Sequence, residues 1–254
     1  MKLNFIHQGQ GEPVILLHGL FGSLRNLSQV SKALAGHFSV YLLDMRNHGD
    51  SPHHSDMAFS DMADDVIGFM NAQQIKQAHL LGHSMGGKAA MQLALNHAER
   101  VNKLIVADIA PVTYSRRHDP VLKGLTEVKQ AQPESRREAD QLLAKHVLEP
   151  EVRAFLLKSL TKNSSGNYQL KFNLKDIAAN YENIILAPSG NPFHGPTLFI
   201  KGSESAYIQA KHKETVLTLF PNANVKIIAG TGHWLHAEKP AIFNRIALNF
   251  LLNG

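Results

Sequence analysis

The chain contains no cysteine. Disulfide staples, a thiolate nucleophile and cysteine-ligated metal sites are all excluded by that absence. No apolar run approaches the ~18–20 residues that span a bilayer. The first residues, Met1-Lys2-Leu3-Asn4-Phe5-Ile6-His7, carry one lysine and too short an apolar patch for a secretory signal. The reading that follows is a cytoplasmic protein with no membrane partner. Nucleotide-cradling patterns are missing: no Gly-x-Gly-x-x-Gly follows the first strand, and there is no Gly-x-x-x-x-Gly-Lys-Ser/Thr. There is no His-Glu-x-x-His, and the adjacent His53-His54 pair has poor chelating geometry, so no metal and no other cofactor is expected. Acidic residues are in modest deficit, with 21 Asp/Glu against 26 Lys/Arg for a net charge of +5. The positive charges are scattered, the largest local groups being Arg116-Arg117 and Arg136-Arg137, so the clustered face that nucleic acid requires is absent. The surplus fits a solvated surface, with attraction of anionic substrates as the weaker functional reading.

What is present is a chain of 254 residues, 44% apolar and 19% charged, long enough for one large core or one domain with an insertion. Residues 3–7 read as an edge strand. Pro13 to His18 is a continuous apolar run, the mark of a strand buried on both faces of a parallel sheet. Similar runs occur over 39–43, 78–81 and 104–109, and again over 196–201 and 225–228. Helices fall between them: near 27–35, over a segment that Ser60 can cap and that carries Met62, Val66, Phe69 and Met70 on one face, and over 88–95, 209–219 and the C-terminal stretch of Phe243, Ile246, Ala247, Phe250 and Leu251. This alternation predicts a parallel α/β sheet with helices on both faces. Ligand sites in such sheets lie beyond the C-terminal ends of strands, where His18, Asp44, Ser84 and Asp108 all fall. From 112 to 195 the rhythm breaks into charged, helix-rich sequence, with helices expected over 120–130, 134–147, 150–160 and 174–181 and a short strand over 168–172. The division is a sheet core of residues 1–111 and 196–254 with a cap of residues 112–195 inserted between them.

The chemistry centres on Gly82-His83-Ser84-Met85-Gly86-Gly87, a Gly-x-Ser-x-Gly between a buried strand and a helix. That context makes a nucleophile elbow, a turn so sharp that the flanking residues must be small. The bare pattern arises by chance in about one chain in ten of this size, given Gly and Ser each near ~7%, so the rest of the chain must support it. A serine hydroxyl needs a base, and the base needs a carboxylate. His233, in a glycine-rich loop after the last strand, is the base, while His194, His212 and His236 read as surface or capping residues. Two carboxylates are open for the third role: Asp108, at the end of the strand beside the elbow, and Glu204, in the loop Ser203-Glu204-Ser205-Ala206-Tyr207. Asp44 reads as structural. The oxyanion donors are the backbone N–H groups of Met85 and of Leu20 in His18-Gly19-Leu20-Phe21-Gly22, with Phe21 N–H as the other possibility. Phe21 is expected to line the acyl pocket, and Lys88, one turn past Ser84, to meet a substrate anion. Arg116, Arg117 and His118 stand at the cap entrance, and Trp234 reads as packing.

Taken together, the elbow, the His-Gly-Leu-Phe-Gly loop, Asp44-Met45-Arg46-Asn47-His48-Gly49 and Gly232-His233-Trp234 resemble the α/β-hydrolase superfamily over the full length. His18 to Ser23, Gly82 to Lys88, Asp108-Ile109-Ala110-Pro111-Val112 and His233 to Pro240 look more narrowly like the bacterial YbfF-type esterases. The resemblance implies an α/β-hydrolase fold: a mostly parallel, eight-stranded core sheet flanked by helices, with an inserted helical cap. It implies hydrolysis of carboxylic esters, with acyl-CoA thioesters as a further substrate class, and no cofactor. It favours Asp108 as the acid, although the wider superfamily carries an Asp near Ser205 that is missing here. A carbon–carbon bond hydrolase or lactonase on the same triad, and a non-catalytic ligand receptor, are the other classes such a chain admits.

Overall fold

A computed structural model describes residues 1–253. Among these residues the main sheet has seven strands: β1 (Phe5–Gln8), β2 (Glu12–Leu17), β3 (Phe38–Leu43), β4 (Ala78–His83), β5 (Val101–Ala107), β8 (Thr197–Gly202) and β9 (Ala223–Ile228). Two further strands, β6 (Leu160–Lys162) and β7 (Tyr168–Leu170), form a separate antiparallel hairpin. The sheet order is β1-β3-β2-β4-β5-β8-β9, parallel except for β1, which runs against β3. The expected eight strands are therefore seven. Among the described residues β1 is the edge strand: it pairs with β3 rather than with β2, its neighbour in sequence, and no further strand lies beyond it.

The apolar runs are continuous because both faces of the sheet are covered. In β2, Val14 and Leu16 pack into the layer with α1 (Ser28–Leu34) and α11 (Pro240–Asn253), while Ile15 and Leu17 pack into the opposite layer with α2 (Phe59–Ala72) and α3 (Met85–Asn96). Helix α9 (Lys213–Leu219) lies on the second side, and α10 (Leu235–Glu238) leads into α11. The N-cap of α2 differs from the expectation: the helix starts at Phe59, and Asp61 rather than Ser60 ties down the entry by accepting Ala58 N–H at 2.9 Å. No helix among the described residues is long and apolar enough to cross a membrane.

Between β5 and β8 the chain forms α4 (Asp119–Ala131), α5 (Arg136–Ala144), α6 (Pro150–Leu157), the β6–β7 hairpin, α7 (Leu174–Ala179) and α8 (Tyr181–Ile185). The helix expected over 150–160 ends early because Leu160 enters β6 and pairs with Leu170. The helix expected over 174–181 is two short ones, broken at Asn180, whose side chain donates to Ser55 O and Asp176 O. This segment is fastened to the sheet part at several points. Gly49 N–H donates to Lys171 O, Asn173 N–H to Asn47 O and Tyr114 N–H to Ile185 O. Gln92 exchanges two hydrogen bonds with the backbone of Ser189.

Candidate active site

His18, Asp44, Ser84 and Asp108 are each the first residue past a strand, following β2, β3, β4 and β5. The chain winds to one side from β2 to β3 and to the other from β4 onward, so the ends of β2 and β4 flank the point where the winding direction switches. Crevices open at such points. The loop after β2 and the turn after β4 meet there.

Ser84 is held at φ 53°, ψ −116°, a conformation that costs a non-glycine residue of order 1–3 kcal/mol. The strain is sustained by close approach on both sides. A Cβ on Gly82 would lie 2.2 Å from Gly86 O, and one on Gly86 would lie 2.3 Å from Leu17 O. Ser84 N–H continues the β4–β5 ladder by donating to Ala107 O at 3.0 Å, and Ser84 O receives Lys88 N–H as α3 begins. The hydroxyl is thus raised at the N-terminus of a buried helix, where the backbone N–H groups favour negative charge.

The sheet register places Asp108 beside it, since His83 pairs with Ala107 and each strand then ends. Asp108 also has positive φ, 51°, and its carboxylate is fully buried. Its Oδ2 is 2.7 Å from His233 Nδ1, and His233 Nε2 is 3.0 Å from Ser84 Oγ. A carboxylate accepts, so Nδ1 carries the proton and Nε2 presents its lone pair to the serine hydroxyl, the tautomer that a base requires. Asp108 is further saturated by Gly202 N–H at 3.1 Å and by a short hydrogen bond from Ser205 Oγ. Ser205 occupies the loop where an Asp was missing, and it donates to the carboxylate that stands in the neighbouring strand's loop instead. Glu204 is exposed, and its side chain has no hydrogen-bond partner among the described residues.

The loop after β2 is held by two histidines. An amide N–H can only donate, so His18 Nε2 accepts from Met45 N–H at 3.0 Å and Nδ1–H donates to Gly19 O at 2.8 Å. By the same reasoning His48 Nε2 accepts from Phe21 N–H at 3.1 Å while Nδ1–H donates to Arg46 O at 2.8 Å. Both rings are neutral: burial lowers His18, and burial together with His18 pushes His48 down to about 3. Phe21 N–H is therefore consumed, and the alternative oxyanion donor is removed. The N–H groups of Leu20 and Met85 have no partner among the described residues. Asp44 is buried and structural in its contacts, accepting from Leu24 N–H, Asp50 N–H and Asn4 Nδ2.

Behind His233 lies a buried pair. His83 Nε2–H donates to His233 O at 2.9 Å, and the His83 ring is 4.5 Å from that of His236. Burial holds both well below the ordinary histidine range, His236 at about 3. His236 and His212 are thus interior residues and not surface ones, because the turn after His233 folds α10 beneath the loop and His212 packs edge-on to Tyr114, although His212 does cap, its Nδ1 accepting from Gln209 N–H at 3.3 Å. His194 is exposed as expected. The front of His233 is covered by Tyr207, stacked with centroids 4.0 Å apart and an interplanar angle of 24°. Sequence reasoning missed His48, His83, Ser205 and Tyr207. Their partners lie 26 to 150 residues away, and no local pattern marks such contacts.

Ser84 and His233 open into a cavity of about 590 Å³. One wall is Leu20, Phe21, Met85 and Ile109; the other comes from the inserted segment, with Val121, Val147, Val152, Phe155, Leu156 and Ile184. Trp234 packs on Phe155 with ring centroids 5.1 Å apart. Lys88 borders the cavity, but its ammonium donates to Ile185 O at 2.9 Å and Leu186 O at 2.5 Å and lies over the rings of Tyr114 and Phe59. Burial brings it down to about 7. The expectation that Lys88 receives a substrate anion gives way to a fastening between α3 and the end of α8.

Comparison with known proteins bears on the fold and family. A family described as alpha/beta hydrolase fold matches residues 12–240. The chain is 37% identical to the esterase YbfF of Escherichia coli, over 99% of both chains. It is 36% identical to a mouse sn-1-specific diacylglycerol lipase, over 94% of this chain and 80% of that one. A solved structure of a marine microorganism esterase superposes with a TM-score of 0.94 at 39% identity, covering 98% of this chain and 99% of that one.

Proposed function

The chain belongs to the α/β-hydrolase fold family, and from that premise we propose that it is a serine hydrolase of carboxylic esters working through Ser84, His233 and Asp108. The observation that carries the reading is the unbroken line from Asp108 Oδ2 through the His233 ring to Ser84 Oγ, at 2.7 and 3.0 Å, opening into an apolar cavity. Ser84 Oγ attacks the ester carbonyl while His233 Nε2 takes its proton. The negative charge that develops on the carbonyl oxygen is met by the Leu20 and Met85 N–H groups. His233 then protonates the leaving oxygen, and the same residue activates the water that releases the acyl group from Ser84. Asp108 stays ionised, orients the ring and stabilises the imidazolium. Residues 112–195 act as a cap: their apolar side chains, with Phe21, surround the acyl chain and exclude water. Acyl-CoA thioesters are a second substrate class, since the same attack cleaves a C–S bond with a thiolate as leaving group.

The test is kcat/KM across acyl chain length for matched oxygen esters and CoA thioesters. Oxygen-ester turnover that rises with chain length up to the capacity of the cavity supports the reading. Absence of all ester turnover in folded protein, with Ser84 unlabelled by a fluorophosphonate, would overturn it in favour of a ligand receptor.

A further inference from the structure

The cavity wall is not uniformly apolar, and the basic side chains in it (Lys88, Arg117, His118) and beside it (Arg116) differ in how they are engaged. Lys88 is committed to two backbone carbonyls. Arg116 pairs with Asp119 and Glu182. His118 is hydrogen-bonded on both nitrogens: Nδ1 lies 2.7 Å from Tyr181 Oη and Nε2 3.4 Å from Tyr207 Oη. Because Tyr181 Oη already accepts two backbone N–H groups, its hydroxyl donates to Nδ1, and burial holds the His118 ring neutral, down at about 4. Arg117 is the exception. It lines the cavity, it is exposed, and its guanidinium has no carboxylate within salt-bridge distance among the described residues. It rests on two aromatic faces instead, 5.6 Å from the Tyr114 ring centroid and 5.1 Å from that of Tyr207.

The position of Arg117 says which half of a substrate it meets. Tyr207 stacks on His233, the residue that hands a proton to the leaving group. The oxyanion donors Leu20 and Met85 and the apolar side chains of α6 (Val152, Phe155) form other parts of the wall. An acyl chain among the apolar residues leaves the alcohol half beside His233, Tyr207 and Arg117. Glu149, the cavity's carboxylate, opens α6 and makes no salt bridge with Arg117. Arg117 also reaches the Tyr207 hydroxyl, but a guanidinium carries five N–H donors, enough to leave a pair for a bidentate oxyanion.

Resting on the esterase reading above, we infer that Arg117 is a specificity residue for esters whose leaving-group half carries an anionic group, carboxylate or phosphate, a few bonds from the scissile oxygen. The experiment uses three butyrate esters, of phenol, of 4-hydroxybenzoate and of 4-hydroxyphenyl phosphate, with wild type, Arg117→Gln and Arg117→Lys. The readout is the kcat/KM ratio of each anionic ester to the neutral one, so intrinsic leaving-group reactivity cancels between variants. Arg117→Gln should lower that ratio by about tenfold, and Arg117→Lys should keep part of it, as a charged contact at a partly open site allows. The wild-type ratio should also fall as ionic strength rises. The larger ratio of the two anionic probes identifies which anion the site takes. A merely structural role for Arg117 against the tyrosines would move all three substrates together, and an unchanged ratio in Arg117→Gln overturns the inference while leaving ester hydrolysis in place. Failure of every ester, including the neutral one, counts against the esterase reading itself.

Discussion

The ends of the strands and the inserted segment that faces them are built by opposite rules. At the strand ends almost every polar atom has a fixed partner. Asp108 has three donors, His18 and His48 each use both nitrogens, and Asp44 accepts three hydrogen bonds. The facing wall from 112 to 195 offers mostly methyl groups and rings to the cavity, with Arg117 unpaired at its edge. A reaction that needs atoms placed within a few tenths of an ångström is supported by the first kind of construction. Recognition of an apolar chain requires only shape and dryness, which the second supplies. If the proposed function holds, the contrast teaches that chemistry and selectivity sit in different parts of this molecule and should respond to mutation independently.

The largest effect separates the two parts most sharply. Ser84→Ala should reduce turnover by roughly 10³–10⁶ with the thermal melt unchanged or raised, because the substitution deletes the proposed nucleophile and nothing that packs. Measuring kcat on a short-chain ester alongside the melting temperature checks both halves. Next is Asp108→Asn, expected to cost roughly 10³–10⁴ in kcat by favouring the wrong His233 tautomer. Glu204→Gln, by contrast, should stay within about twofold of wild type, since Glu204 is exposed and unpartnered. Near-normal turnover in Asp108→Asn with a collapse in Glu204→Gln would transfer the carboxylate's role to the other loop.

Legibility from sequence follows the same division. The meeting of Ser84 with His233 and the buried strands could be read because each is marked locally, by small residues at a sharp turn or by an apolar run of strand length. Asp108 was legible only as one of two candidates. What favours it structurally is the β4–β5 register and a positive φ, neither of which leaves a sequence signal beyond adjacency. Ser205, Tyr207 and His48 were invisible as site residues because serine, tyrosine and histidine have many ordinary uses and their partners are remote. Lys88 was misassigned for the same reason: its position one turn past the nucleophile was evident, but the carbonyls of Ile185 and Leu186 that it meets lie 97 and 98 residues away. Over residues 112–195, helix ends differ where a hairpin or the Asn180 side chain interrupts the chain.

A smaller effect tests whether the strand-end network is a folding unit as well as a catalytic one. His236 is buried, is lowered to about 3, and leaves Nδ1 without a partner among the described residues. A histidine whose folded pKa lies below its unfolded value of about 6.5 contributes stability above pH 6.5. That contribution is lost as pH falls toward 3, because the unfolded chain then binds a proton the folded one refuses. His48, also at about 3, adds to the same window. Chemical denaturation between pH 7 and 4 should show wild-type stability falling by a few kcal/mol, and His236→Leu should flatten that slope while matching or exceeding wild type at pH 7. Equal slopes in the two proteins would mean that the histidine is not neutral in the folded state.

The mildest change probes the seam between the two regions. Lys88 stands on the helix that begins at Ser84, yet its ammonium serves the cap, donating to Ile185 O and Leu186 O beneath the rings of Phe59 and Tyr114. Lys88→Met keeps the length and the buried stem and removes the donor, so Leu186 O loses its partner while Ile185 O keeps Tyr114 N–H, a loss worth about 1–3 kcal/mol. Gln92 still holds Ser189, so the attachment loosens without failing. If the cap supplies binding and the strand ends supply chemistry, KM for a medium-chain ester should rise about 3–10-fold while kcat stays within about twofold, because Ser84, His233 and the Met85 N–H are untouched. A fall in kcat with KM unchanged would show that the cap's attachment sets the geometry of the nucleophile, and the separation drawn between the two regions would fail at the residue that joins them.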